Sequence, residues 1–333
     1  TIKKHLIRDA KIGVAISSGL DSRSICAILS LIKQNKKIIK AYFVEFKNYN
    51  LEKNEVLNFC KNFKIKLEII EIKPKDIIEK FETCIRQNES PLGGIMNIGL
   101  FKLCEKAKKD KIKVILGGYG LDEALGGYDI LNPNNFSNRV DKTNRLIDGT
   151  VLDNSKMILR RKQKHKSNKK KFILNDKSIH QKQIDLLFQD KIPRTLHMVD
   201  RFSMSNSIEF RNPYIDSDFV KKCLQIPKKK YFFKKIGKMP VRNTLKTNFK
   251  GYDYWFDKKK SVQSPQADWF REKNIKSWIN KIFKQRSLYT NNSFLNKKEI
   301  NKYWENFQNK KINFSLPILQ IINLYYLNKI FKN

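Results

Sequence analysis

Lys11–Ser22 reads KIGVAISSGLDS, and the fold is decided there. KIGVAIS is a short apolar run of the kind a strand covered on both faces shows. Ser17, Ser18 and Gly19 follow as a turn of small residues, and helical apolar spacing continues through Ile32. Outward from this unit the alternation repeats. Ile39–Phe46 (IKAYFVEF) reads as a second strand, Glu52–Phe63 as a helix and Lys66–Ile72 (KLEIIEI) as a third strand. Asp76–Cys84 and Ile98–Lys108 read as helices, and Lys113–Leu116 as a fourth strand. Strands alternating with helices at this interval predict an α/β fold, with a doubly wound parallel sheet over about residues 10–130. Ligands of such sheets bind at the carboxyl ends of the strands, so the turns after strands one and four are the places to look.

Beyond Tyr128 the strand pattern stops. Asn132–Asp148 is punctuated by Asn and Pro, and Arg160–Lys171 (RRKQKHKSNKKK) is a block of positive charge. A like-charge block reads as a solvated insertion, here near residues 155–175. From Ile179 onward the spacing is helical, interrupted at Pro193, Pro213, Pro227, Pro240 and Pro265, so residues 131–333 are expected to be mostly helical.

The 333 residues are 40% hydrophobic and 30% charged, which supports a packed core and excludes wholesale disorder. The chain has no run of 18 apolar residues, so no membrane-spanning helix is expected. The net charge is +37, from 69 Lys plus Arg against 32 Asp plus Glu. A balance this basic first suggests nucleic acid. Only 13 of those cations are Arg, however, the residue whose planar fork fits phosphate and base edges. The excess of Lys, Asn and Ile is that of A/T-rich codons, and nucleic acid is not expected as a partner.

Five cysteines (26, 60, 84, 104 and 223) form no CxxC pair, and the four histidines form no HExxH. This argues against a zinc ribbon and a disulfide framework, and favours a reducing, cytoplasmic compartment. No apolar segment of the signal-peptide type follows Thr1–His5. A chain starting at Thr rather than Met is expected to be a processed or excised piece of something longer.

In the first turn, small residues let backbone N–H groups converge on an anion, with the helix dipole behind them. The hydroxyls of Ser17 and Ser22 add donors. Asp21 places a carboxylate where phosphate would sit, which requires an intervening cation. Mg2+, held by one or two carboxylates and phosphate oxygens, is the expected one. The second turn, Leu116–Tyr128 (LGGYGLDEALGGY), has five glycines in 11 residues. It faces the same crevice, and its Asp122 offers a second carboxylate to the same metal.

The two turns together resemble those of the PP-loop ATP pyrophosphatases, and among them the synthetase domain of the asparagine synthetase family. The SGGxDS motif of that family is matched by Ser17–Ser22 and its GxGxDExxGGY by Gly118–Tyr128. DRFSM (200–204) and IEFRNPYID (208–216) are similar to its DRxSM…xExRxPFLD segment. KMPVRNTL (238–245) is similar to its K…LR segment, and Lys258–Lys260 with Pro265 and Trp269 to RxKxGFxxPxxxW. The resemblance implies one synthetase-like region over residues 1–333, using ATP and Mg2+ to activate a small-molecule carboxylate as an acyl-adenylate. Pyrophosphate leaves, and ammonia or an amine displaces AMP. It implies that Ser17, Ser18, Gly19 and Ser22 cradle the pyrophosphate and that Asp21 and Asp122 hold the metal. Ala15, Val44, Gly117 and Gly118 line the adenosine, and Lys259 (or Lys260) neutralises phosphate charge in the transition state.

Three departures bear on substrate. Ser18 replaces the middle glycine of the motif; if that position takes a positive φ, Ser carries about 1 kcal/mol or more of strain. Tyr119 stands where asparagine synthetases generally have Glu. It resembles the tyrosine of β-lactam synthetases, which helps deprotonate an internal amine, and Asp200 and Glu209 are its candidate carboxylate partners. The N-terminal glutaminase domain usual in the family is not in this chain, so the nitrogen source is a separate or removed glutaminase, free ammonia or an internal amine. The rivals are a related amidotransferase or cyclase acting on a surface-sugar uronate, a β-lactam or a peptide, a tRNA-modifying PP-loop enzyme, and a non-catalytic nucleotide-binding relative.

Overall fold

A computed structural model of the chain describes residues 1–6, 10–32, 38–49, 52–128, 131–132, 176–234, 236–257 and 264–331. The basic run near 155–175 and Lys258–Lys260 lie outside these residues.

The first half alternates as expected. β1 (Ile12–Ala15), α1 (Leu20–Leu31), β2 (Ile38–Phe46), α2 (Lys53–Asn62) and β3 (Leu67–Ile72) follow one another. Then come α3 (Pro74–Asn88), α4 (Met96–Lys109), β4 (Val114–Leu116) and the short α5 (Leu121–Leu125). α3 starts two residues earlier than its apolar spacing indicates. Pro74 opens it and the Asp76 side chain accepts from the Lys73 N–H at 2.6 Å, a proline-led, capped start.

α6 (Asp176–Phe188) and α7 (Lys191–Met204) lead into β5 (Glu209–Arg211), a strand absent from the sequence expectation. Its three residues are too few to show a period, but they pair in register with β4, Val114 opposite Glu209 and Leu116 opposite Arg211. The remainder is helical, as expected: α8 (Ser217–Gln225), α9 (Met239–Asn248), α10 (Gln266–Trp269), α11 (Lys273–Lys284), α12 (Arg286–Thr290), α13 (Lys297–Gln308) and α14 (Ser315–Phe331).

The five strands are parallel, in the order β3-β2-β1-β4-β5. The chain winds outward through β1, β2 and β3, then crosses to the other side of β1. The switch point therefore lies between the carboxyl ends of β1 and β4, where both glycine-containing turns emerge.

Period-two alternation sends successive side chains to opposite faces. Ala41 and Phe43 of β2 join Ile12, Val14, Ile25, Val56, Phe59 and Trp255 on one face. Tyr42 and Phe46 join Phe81, Ile98, Phe202, Ile279, Ile318 and Ile322 on the other. Full burial of each large apolar side chain contributes about 1.5–3 kcal/mol, so two filled layers hold the sheet between helices. α14 is apolar around most of its circumference and sits within the second layer. There the buried amide of Asn323 accepts from the Leu92 N–H (3.1 Å) and donates to the Leu92 carbonyl (2.9 Å). No helix among the described residues is long and apolar enough to cross a membrane.

Candidate active site

The turn after β1 is closed by its own hydroxyls. The Ser17 N–H donates to Ser22 Oγ (2.9 Å), the Gly19 N–H donates to Ser17 Oγ (3.2 Å), and the two serine oxygens stand 3.0 Å apart. No residue from Ser17 to Ser22 has a positive φ, so Ser18 carries none of the strain considered for it. Its N–H donates to Glu52 Oε2 at 3.0 Å, and its buried Oγ has no partner among the described residues. Gly19 is the N-cap of α1 and no side chain caps that helix, which leaves a dipole end of the kind that receives anions.

The turn after β4 lies against the first. A Cβ on Gly118 would stand 3.0 Å from the backbone of Asp21 and Ser22, so glycine allows this approach without pushing the two turns apart. Asp122, in the first turn of α5, then faces Asp21. Two carboxylates brought to a shared partner repel each other. Lys238, at the N-terminus of α9, cancels that repulsion. Its buried ammonium donates to Asp21 Oδ1 at 2.5 Å and lies 2.6 Å from Asp122 Oδ1. Burial disfavours the charge, but Asp122 and Asp21 outweigh it, and the Lys238 pKa is raised. Gly127 makes room for the group: a Cβ there would sit 1.6 Å from Asp122 Oδ1 and 2.5 Å from Lys238 Cε.

Asp21 and Asp122 thus converge on one cation position beside the serine turn, and two carboxylates are a donor set that Mg2+ shares with phosphate oxygens. Among the described residues no group of three or more His, Cys, Asp or Glu forms an all-protein metal site. Ala15 and Val44 lie on the neighbouring strands β1 and β2. Ala15 pairs with Tyr42, and Val44 packs so closely on α4 that a Cβ on Gly99 would come within 2.8 Å of it. Gly117 is held by its N–H to the Arg211 carbonyl (2.9 Å).

Tyr119 packs against Phe210, ring centroids 6.1 Å apart. Burial, with a smaller contribution from Cys104, pushes its phenol up to about 12. Neither proposed partner reaches it. Glu209 alternates with Phe210 along β5 and so faces the other way, where it pairs twice with Arg211 at 2.8 Å. Asp200 is exposed on α7. The five cysteines are free and buried, and burial pushes the thiols of Cys104 and Cys223 up to about 12, so neither is a ready nucleophile.

Lys259 lies outside the described residues, but Asp257, just before that segment, is held from two sides. Arg23, one residue past Ser22, donates to Asp257 Oδ2 at 3.0 Å. Arg242 of α9 donates to the Trp255 and Asp257 carbonyls. Sequence reasoning assigned no role to Lys238, Glu52, Arg23 or Arg242. The KMPVRNTL segment held the signal for Lys238 and Arg242, while nothing marked Glu52.

Comparison with known proteins places the chain in a family. The family described as "Asparagine synthase" matches residues 1–328. A protein named "Amidase chry2" from Gibberella zeae is 26% identical over 149 residues, covering 41% of this chain and 22% of its own length. "Amidase chyE" from Penicillium rubens is 23% identical over 141 residues, covering 38% of this chain and 21% of its own. The matched stretch is thus about a fifth of each of these curated relatives. The family match runs through both turns and on through the helical half almost to the last residue, and the chain belongs to the asparagine synthase family.

Proposed function

We propose that the protein is an AMP-forming amide ligase acting on a carboxylate other than aspartate. One observation carries this reading: Asp21 and Asp122, from two different turns, meet at a single cation position beside the N-terminus of α1. A carboxylate oxygen of the substrate attacks the α-phosphorus of ATP, forming a C–O–P link while the α–β phosphoanhydride bond breaks and pyrophosphate departs. A nitrogen nucleophile then attacks the acyl carbon, loses a proton, and AMP leaves with the C–O bonding pair. Mg2+, when bound by Asp21 and Asp122, supplies charge neutralisation on the leaving pyrophosphate. Ser17, Gly19 and Ser22 fix the turn, and α1 directs its positive end at the anion. The family resemblance gives Lys259, two residues past Asp257 in the chain, the role of a further cation for the phosphates.

Tyr119 argues against aspartate. A half-buried phenol pushed up to about 12, without a hydrogen-bonded carboxylate, stays protonated at neutral pH. It serves as an apolar wall and a hydroxyl donor beside the acyl group, in place of the acidic side chain general in asparagine synthetases. The nitrogen comes from ammonia, a separate glutaminase or an amine of the substrate. The test is pyrophosphate release with Mg2+, ATP, ammonia and a panel of carboxylates. Release with an uncharged-tail carboxylate in preference to aspartate is expected. Release that depends on tRNA, or none with any carboxylate, overturns the reading.

A further inference from the structure

Two side chains hold the positions that a divalent cation and a polyphosphate require. The Lys238 ammonium lies between Asp21 and Asp122, where a cation shared by both carboxylates belongs. The Glu52 carboxylate accepts from the Ser18 N–H, a donor of the turn that faces the anion on the reading above. The Lys238 contact is not incidental to packing. Lys238 is buried, its backbone sits in the left-handed region at φ +61°, and Gly127 is cut back to admit it. A non-glycine residue held there against its preference signals a constraint that the surrounding structure enforces.

The charges explain what this arrangement does. A free divalent ion can enter only by expelling a buried ammonium from both carboxylates and leaving it without an anion. A free polyphosphate must displace Glu52 and then face Asp21 and Asp122, whose shared cation among the described residues is Lys238. When metal and polyphosphate arrive together, the metal takes the carboxylates, and the displaced Lys238 finds the phosphate oxygens beside it.

We propose that Lys238 and Glu52 couple the two ligands. Lys238 competes with free metal for Asp21 and Asp122, Glu52 competes with free polyphosphate for the Ser18 N–H, and the metal–nucleotide pair displaces both. The metal half rests on Asp21, Asp122 and Lys238 alone; the Glu52 half also rests on the nucleotide reading of the turn.

The 333-residue chain and its K238M, K238A and E52Q variants test this by binding alone. Mn2+ retention is read by electron paramagnetic resonance, and ATP and inorganic pyrophosphate binding by calorimetry. K238M is expected to bind free Mn2+ roughly tenfold more tightly than wild type, yet Mn2+–ATP roughly tenfold more weakly. A lysine that merely supports the fold lowers both affinities, most of all in K238A. E52Q keeps an acceptor for Ser18 and removes the charge, so it is expected to bind free pyrophosphate roughly tenfold more tightly.

Changes of the same sign for Mn2+ and Mn2+–ATP in K238M overturn the coupling, as does pyrophosphate binding that is unchanged or weaker in E52Q. If K238M cannot be obtained folded, the partly exposed Glu52 still decides the matter. The two readings fail separately. Wild-type chain that binds Mn2+–ATP while K238M gains nothing for free Mn2+ removes the coupling and keeps the ligase. K238M that gains free Mn2+ while no form binds ATP keeps the metal competition and removes the ligase.

Discussion

The Asp122 carboxylate lies 2.6 Å from the Lys238 ammonium, and the same nitrogen donates to Asp21 at 2.5 Å. Asp21 stands on the first turn of α1 and Asp122 on that of α5, so each follows a different strand of the sheet. The strand order brings β1 and β4 side by side, and with them two carboxylates that are remote in the chain.

Because both carboxylates serve one cation, their loss is not additive. Asp21→Asn and Asp122→Asn are each expected to lower pyrophosphate release about a hundredfold or more, on the scale of removing one fixed charge-stabilising group. The double variant is expected to be little worse than either single one, since half a site already fails to hold the metal. Lys238 keeps one carboxylate in each single variant, so both are expected to fold. Near wild-type release from either one removes the metal assignment.

Gly127→Ala probes the same group by volume alone. Its Cβ falls 1.6 Å from Asp122 Oδ1, so the carboxylate must move. Overpacking of this kind costs about 1–3 kcal/mol, and displaced Asp122 is expected to lower pyrophosphate release as Asp122→Asn does. The check is a melting curve alongside the release assay. Unchanged Tm together with full turnover contradicts the close packing of Gly127 on the pair.

The alternation of strand and helix through Leu116 was legible because β1, β2 and β4 carry apolar runs and the turns after β1 and β4 have small residues. β5 was not: Glu-Phe-Arg carries no pattern, and only its pairing with β4 makes it a strand. The two carboxylates were legible because each sits at a fixed offset from a glycine turn. Lys238 was not, for a physical reason. Its KMPVRNTL segment marked the stretch, but nothing in it tells what the lysine pairs with until folding buries it between two aspartates. The Tyr119 partners failed differently. Glu209 is near in sequence space to Phe210, which touches Tyr119, but strand alternation turns it to the opposite face.

Tyr119→Phe separates a base from a wall. A general base contributes about 100- to 10,000-fold. The phenol is pushed up to about 12 by burial and Cys104, and the carboxylates proposed for it point elsewhere. The variant is therefore expected to keep most of its pyrophosphate release, with the pH–rate profile unmoved and the change falling on KM for the acyl substrate. A loss of a hundredfold with a shifted alkaline limb restores Tyr119 as the base.

Asp110 offers a test of stability that leaves the site alone. At the amino end of the sheet it accepts from Lys106 (2.8 Å) and the Tyr42 hydroxyl (2.8 Å), and pairs with Lys40 at 2.6 Å. Burial raises its pKa, but those three donors outweigh it and hold the carboxyl at about 2. An unfolded Asp titrates near 3.9, so as pH falls the unfolded chain takes up the proton first. The contribution is therefore complete above about pH 4 and fades as pH falls through about 2. Part of it is screened by solvent, which leaves about 1–2 kcal/mol at neutral pH. Asp110→Asn is expected to lower stability by that amount at pH 7, and the gap to wild type is expected to close toward pH 2. Urea unfolding at pH 7, 4 and 2.5 reads it directly. A gap of constant size across the three overturns the linkage, since an uncharged role for Asp110 has no reason to vanish with protons.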